Sequence, residues 1–104
     1  MDFNGQNINT GTKIRFDTDK QFYVVKACND MFAICTRPFN LKRTVYYTII
    51  DFNKGIRGTN NWIFNPYDYK DQKDIDLCLK ELTKNQVKIS HRNNIDLNIK
   101  EIIN

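Results

Sequence analysis

The stretch that decides the fold is FYVVKACNDMFAICTR, residues 22–37. It contains two runs of seven residues rich in β-branched and aromatic types, separated by Asn29 and Asp30. Both residues tolerate the positive φ that a two-residue type I′ turn requires, so the pattern predicts a β-hairpin in which Val25 faces Ile34. One face of this hairpin would carry Tyr23, Val25, Ala27, Phe32 and Ile34. The other face is mostly apolar as well, so we expect other elements to cover both sides.

Further strands are predicted on either side of this hairpin. Residues 44–52, TVYYTIIDF, give the strongest strand signal of the chain, and we expect this strand at the centre of the sheet. Residues 13–16 alternate charged and apolar side chains, as a half-buried strand does. A second hairpin is predicted over 87–99, although Ile99 and the isoleucines after it could instead begin a short terminal helix. Two successive turns are expected on either side of Ile56.

One helix is predicted, over residues 72–84. Asp71 precedes it as a capping residue and Asp74 follows three positions later, which is an aspartate variant of the capping box. Lysines in the last turns and Asn85 just beyond them are typical of a helix C-terminus. The apolar residues that recur at helical spacing form a single stripe: Ile75, Cys78, Leu79 and Leu82.

Together these elements predict an α+β fold, in which a curled antiparallel sheet of five to six strands packs against one main helix. The length of 104 residues fits a single domain, 1–104. A hydrophobic fraction of 40% with four glycines and two prolines argues against a disordered or fibrous chain. Residues 1–12 are polar and rich in Asn, Gly and Thr, and we expect them to form a flexible arm or a short first element.

The sequence also bears on the compartment in which the protein works. Three cysteines do not make a disulfide framework, so a reducing cytoplasm is expected. The N-terminal residues lack the basic and apolar regions of a signal peptide, and no stretch approaches the roughly 20 apolar residues that span a bilayer. We therefore expect a cytoplasmic protein that does not associate with a membrane.

The net charge of +4 is concentrated in one part of the chain. Residues 1–36 hold four basic and four acidic residues, and residues 67–104 hold seven of each, whereas 37–66 hold five basic residues against Asp51 alone. Aromatic residues are interleaved with these cations, a combination suited to nucleic acid or to an acidic protein surface. The predicted partner-binding residues are Arg37, Lys42, Arg43, Lys54, Arg57 and Trp62.

No catalytic or metal-binding arrangement emerges from the sequence. His91 is the one histidine, and it lies in a polar segment beside Arg92, whose charge would disfavour the imidazolium. The cysteines lack metal-ligand spacing, and the aspartate clusters are accounted for by turns and helix capping. We therefore expect a protein that is not an enzyme and that binds no metal and no cofactor.

Several short stretches resemble small proteins encoded by bacteriophages and prophages of low-G+C bacteria. They are ACND at 27–30, AICTRPFN at 33–40, YTIID at 47–51, IRGTNN at 56–61, FNPYDY at 64–69 and ISHRN at 89–93. The resemblance implies a phage origin, and it brings no catalytic or binding residue with it. Small phage proteins without catalytic groups often bind and block a host protein, as anti-CRISPR inhibitors of bacterial immunity do, and this step is an analogy.

Three hypotheses about function follow. The first is a non-enzymatic, anti-CRISPR-like protein that binds and inhibits a nucleoprotein or nuclease in the bacterial host cell through the basic and aromatic surface. The second is a regulatory protein that binds single-stranded nucleic acid or RNA directly with the same residues. The third is a small basic ribonuclease in which His91, Arg92 and a tyrosine supply acid–base chemistry.

Overall fold

The computed structural model describes residues 1–17, 19–38, 45–59, 71–85, 89 and 95–104. Nine short and medium strands and one helix lie within these ranges. The strands are β1 (Asp2–Phe3), β2 (Gln6–Asn7), β3 (Lys13–Phe16), β4 (Tyr23–Cys28), β5 (Phe32–Pro38), β6 (Val45–Asp51), β7 (Ile56–Gly58), β8 (Ile95–Asp96) and β9 (Ile99–Ile103). The helix α1 (Gln72–Thr83) lies between β7 and β8 in the chain.

The main sheet is antiparallel, with the strand order β8-β7-β6-β5-β4-β3-β9. Six of its strands have three or more residues, and β8 adds two residues at one edge. Helix α1 packs against β4 and β5. The predicted fold class, an α+β protein with a curled antiparallel sheet and one main helix, is confirmed. Arg57 and Gly58, expected in the second of the turns around Ile56, belong instead to strand β7, which pairs with the end of β6. Asn60 and Asn61 of that expected turn lie outside the described residues.

The C-terminal segment joins the two edges of the sheet. Strand β8 pairs with β7 and strand β9 pairs with β3, with only Leu97 and Asn98 between them. The Leu97 N–H donates to the Gly55 carbonyl (2.9 Å), and the Asp17 N–H donates to the Asn98 carbonyl (2.7 Å). The sheet therefore curls into a half-barrel. Residues 95–99, the second half of the predicted 87–99 hairpin, pair with β7 and β3. Of the first half only Ile89 is among the described residues, so the hairpin itself stays a prediction. The residues after Asn98 form strand β9 and not the short helix that was the alternative.

Two hydrophobic clusters cover the two faces of the sheet, as expected. Consecutive residues on β5 alternate between them, since Ala33 belongs to one cluster and Ile34 to the other. The helix-side cluster consists of Ala27, Ile34, Tyr47, Ile49, Ile75, Cys78, Leu82 and Ile89. The arm-side cluster consists of Ile8, Ile14, Phe16, Tyr23, Val25, Ala33, Cys35 and Ile50.

The register of the β4–β5 hairpin differs from the prediction because of a β-bulge. Val25 pairs with Cys35 and Ala27 pairs with Ile34, so the register shifts at Lys26. An extra residue on one strand reverses the faces of the side chains on either side of it. Val25 therefore faces the arm-side cluster while Ala27 faces the helix, and the predicted shared face for these residues is wrong.

The turn of this hairpin is also displaced by one residue. The Asn29 N–H donates to the Phe32 carbonyl (2.9 Å), which leaves Asp30 and Met31 as the two central residues. Asn29 accepts hydrogen bonds through Oδ1 from the N–H groups of Met31 and Phe32, both at 2.8 Å. Neither Asp30 nor Met31 has positive φ, so the predicted type I′ turn over Asn29 and Asp30 is wrong. Asparagine is common at the first position of a turn because its side chain can accept these backbone hydrogen bonds.

Mutation of the turn distinguishes the observed arrangement from the predicted one. Asn29→Ala should lower the free energy of unfolding by about 1–2 kcal/mol, because it removes two acceptor bonds in the turn. It also removes the bond from Asn29 Nδ2 to Thr83 Oγ1 of α1 (2.8 Å). Asp30→Ala, at an exposed neighbouring position, should stay within about 0.5 kcal/mol. Urea unfolding of the two variants measures the difference, and equal losses would contradict the observed turn.

The N-terminal segment, expected as a flexible arm or a short first element, is a packed hairpin. Asn4 and Gly5 have φ values of 51° and 80°, the positive values that a tight hairpin turn between β1 and β2 requires. Ile8 is fully buried in the arm-side cluster. Thr12 donates through its hydroxyl to Asn104 Oδ1 (2.6 Å), which connects the segment to the end of the chain.

The predicted helix is confirmed with its cap. Asp71 precedes α1 and accepts a hydrogen bond through Oδ1 from the Asp74 N–H (3.2 Å). Three residues of the predicted stripe, Ile75, Cys78 and Leu82, are buried, and Leu79 packs partly buried against the same cluster. After the last turn Asn85 has φ of 59°, a left-handed conformation typical of a helix end.

Candidate partner-binding surface

The structure describes three of the six predicted partner-binding residues and does not bring all three together. Arg37 lies near the end of β5, paired with Tyr46 of β6, whereas Lys54 lies in the turn that follows Asp51. Asp51 lies five positions beyond Tyr46 on β6, so the two are about 17 Å apart along the strand. The other three residues, Lys42, Arg43 and Trp62, lie outside the described residues.

Arg57 lies inside the fold, because strand β7 aims it into the curled sheet. The residue is 8% exposed, and its Cζ lies 3.9 Å from the centre of the Phe16 ring. Its Nη1 is 3.4 Å from the hydroxyl of the buried Thr48, and its Nη2 is 3.7 Å from Asp19 Oδ2. The stacking on Phe16 and the ion pair with Asp19 connect β7 to the end of β3 and to the β3–β4 turn. Little of the guanidinium faces solvent, and a role for Arg57 in partner binding stays a prediction.

Arg37 is half-buried and held by two neighbours at the other side of the same turn. Its Nη1 donates to Gln21 Oε1 (2.9 Å), and its Cζ lies 5.4 Å from the centre of the Tyr23 ring. The Tyr23 ring meets the Phe16 ring edge-on, with centroids 5.5 Å apart and planes at 72°. The Tyr23 and Phe16 rings, in edge-on contact, therefore connect Arg37 to Arg57 across the end of the half-barrel.

A third arginine, Arg15, contacts the same β3–β4 turn and was not among the predicted residues. Its Nε and Nη2 donate to Glu101 Oε1 (3.1 and 2.7 Å), and its Cζ lies 5.8 Å from the Phe22 ring. Its Nη1 is 3.5 Å from the Asp19 carbonyl. We define the arginine row as the three arginines and the rings on which they stack: Arg15, Arg37, Arg57, Phe16, Phe22 and Tyr23.

Sequence reasoning missed Arg15 because it divided the charge by position along the chain. Arg15 falls in a third of the sequence whose charges cancel. A signal was nevertheless present, since Arg15 and Phe22 flank the same predicted turn, and the strands joined by a turn lie side by side. The sheet then brings β5 and β7 to the same place, which no local pattern specifies.

The cysteines are reduced and largely enclosed. Cys35 and Cys78 are buried and Cys28 is half-buried, all as free thiols. Burial raises the pKa of Cys78 to about 12 and raises the pKa of Cys35 further. Burial is also the main cause of the raised pKa of Cys28. All three thiols therefore stay protonated at neutral pH, where a thiol is a poor nucleophile and a poor metal ligand.

The described part of the chain offers neither a metal site nor a membrane-spanning helix. No group of three or more His, Cys, Asp or Glu side chains that could hold a metal ion is found there. Helix α1, the one helix among the described residues, is not long and apolar enough to cross a membrane. His91 and Arg92, named for the ribonuclease hypothesis, lie outside the described residues.

Comparison with known proteins does not indicate what this surface binds. No family model matches the chain, and neither a curated protein nor a solved structure matches it. The interpretation of the arginine row therefore rests on its own contacts.

Proposed function

We propose that this protein is a non-enzymatic, phage-type inhibitor that binds a host nucleoprotein or nuclease in the bacterial cytoplasm, in the manner of an anti-CRISPR protein. The observation that supports it most is the setting of Arg37, which is half-buried and held by Gln21 and Tyr23 at the end of β5. An arginine already fixed in one orientation loses little conformational entropy when a partner binds. Arginine is also among the residues that most often dominate binding energy at protein interfaces.

Two more basic residues follow Arg37 closely in the sequence. Lys42 and Arg43 belong to the segment between β5 and β6, outside the described residues. A partner with carboxylate or phosphate groups is the chemical complement of these cations. On β6, the partner of Arg37 and the residue before the turn of Lys54 are about 17 Å apart, which is within the span of an ordinary interface of about 800 Å² per partner.

Capture of the partner from host extract tests the proposal. The tagged protein should retain a specific nucleoprotein or nuclease, with and without nuclease treatment of the extract, and should inhibit its activity. Charge reversal of the two residues that follow β5 in the sequence, Lys42→Glu with Arg43→Glu, should weaken inhibition at least about tenfold, because each reversed charge then repels the acidic partner. Arg37→Gln, which keeps the length and polarity of the side chain, should also weaken it.

Matched controls are available elsewhere on the surface. Lys26→Glu at the bulge of β4 and Lys100→Glu on β9 change the net charge by the same amount per substitution, at exposed positions of other strands. These variants should inhibit as the native protein does. Inhibition that survives the reversal at Lys42 and Arg43, or that is lost equally in the controls, would overturn the assignment of the surface.

Direct binding of nucleic acid is the alternative outcome. A protein that contacts a few phosphates loses about tenfold or more in affinity between 50 and 200 mM salt. A gel shift with single-stranded RNA and DNA that disappears over this range would favour the second hypothesis over the first. A partner retained after nuclease treatment, together with no shift at low salt, would exclude it.

A further inference from the structure

One edge of the Arg57 guanidinium is not used by a hydrogen bond. Its Nη1 contacts Thr48 and its face lies on Phe16, whereas its Nε is buried and has no hydrogen-bond partner. Its Nη2 lies 3.7 Å from Asp19 Oδ2, which is within ion-pair range but beyond hydrogen-bond distance. Nε and Nη2 form the pair of parallel donors with which arginine binds an oxyanion through two hydrogen bonds.

The carboxylate opposite this edge also has an oxygen without a hydrogen bond. Asp19 Oδ2 is buried and has no hydrogen-bond partner, although it faces a guanidinium. The Asp19 side chain is 18% exposed and the Arg57 side chain 10%, so the carboxylate is the more accessible member of the pair. Asp19 lies in the β3–β4 turn, where Arg15 reaches its carbonyl at 3.5 Å, a long contact. A buried ion pair without hydrogen bonds recovers little of the desolvation cost of its charges.

We propose that Arg57 is an oxyanion-binding residue whose site is occupied by Asp19 in the free protein. A phosphate or carboxylate group would displace the Asp19 side chain and accept hydrogen bonds from Nε and Nη2 of Arg57. The aromatic ring of Phe16 and the hydroxyl of Thr48 hold the guanidinium in place for either anion. The inference rests on the proposed function, because the oxyanion would be a group of the partner. This end of the half-barrel would recognise that group.

The site can be tested without the partner, using inorganic phosphate as the probe. Phosphate is titrated at constant ionic strength, with chloride as the balancing anion, while the thermal unfolding midpoint and the arginine Nε resonances are followed. The native protein should show a saturable rise of the midpoint and a shift of one Nε resonance. Asp19→Asn, which removes the resident anion, should bind phosphate about tenfold more tightly, a difference of about 1.4 kcal/mol. Acetate in place of phosphate tests whether a carboxylate serves equally well.

Asp17→Asn is the matched control, because it removes the same charge from an exposed position of the same turn. It should bind phosphate as the native protein does, and Arg57→Lys, which keeps the charge but lacks the two parallel donors, should lose saturable binding. Equal responses to chloride and phosphate, or equal gains from Asp17→Asn and Asp19→Asn, would overturn the inference. If Asp19→Asn does not fold, the native protein and Arg57→Lys decide the matter. A failed titration with successful partner capture overturns this inference alone.

Discussion

Phe16→Ala is expected to lower the free energy of unfolding by about 3–5 kcal/mol, the range typical of a buried aromatic residue replaced by alanine. Phe16 is the largest of the fully buried side chains of the described residues, at 1% exposed. Its ring supports the Arg57 guanidinium on one face and meets the Tyr23 ring edge-on, so the truncation removes a core side chain and leaves a buried charge poorly packed. Urea unfolding, followed by circular dichroism, measures the loss.

The half-buried Phe22 is a matched control for this prediction. Phe22→Ala removes the same number of atoms and also takes away the ring on which Arg15 stacks, but at a position partly exposed to solvent. It should cost clearly less than Phe16→Ala, because less apolar surface leaves water when this side chain packs. Equal losses for the two variants would contradict the central position of Phe16 in the arm-side cluster.

Deletion of residues 99–104 is expected to abolish cooperative unfolding. Strand β9 pairs with β3, and its Ile99 and Ile102 pack against the arm-side cluster. Without it, the half-barrel loses its closing strand and the buried Ile14 of β3 meets solvent. The lost burial and strand pairing approach the net stability of about 5–15 kcal/mol that a small domain has. Thermal unfolding followed by near-ultraviolet circular dichroism should show no cooperative transition.

Ile103→Ala provides the comparison within the same strand. Ile103 is 44% exposed at the end of β9. Its truncation should leave the cooperative transition intact, with a change in the free energy of unfolding of no more than about 1 kcal/mol. A shortened chain that unfolds at the native midpoint would show that β9 is dispensable, contrary to the topology of the sheet.

Elements with strong local signals could be predicted from the sequence. Helix α1 was predicted within one residue, because Asp71 and Asp74 specify its start and a single apolar stripe specifies its buried face. The strands from residue 13 to residue 51 follow from alternation and β-propensity, which act over a few neighbouring residues. The α+β class then follows, since one helix can cover only one face of a sheet of this size.

The arrangement of these elements could not be predicted in the same way. The bulge at Lys26 and the Asp30–Met31 turn depend on which strand register buries the most apolar surface without losing backbone hydrogen bonds. The pairing of β9 with β3 joins residues that are more than 80 positions apart. The burial of Arg57 follows from the same closure, because the ring of Phe16 and the carboxylate of Asp19 reach it only when β3 and β7 approach each other.

Local patterns thus specify the kinds of elements, the capped helix and the excess of positive charge in residues 37–66. The grouping of the described charges follows from the tertiary structure instead. That structure separated Arg37 from Lys54 along β6, placed Arg57 inside the half-barrel and added Arg15 from a stretch with no net charge. The physical reason is that strand and helix formation depend on neighbouring residues, whereas the grouping of charges depends on long-range strand pairing and on the burial that the pairing allows.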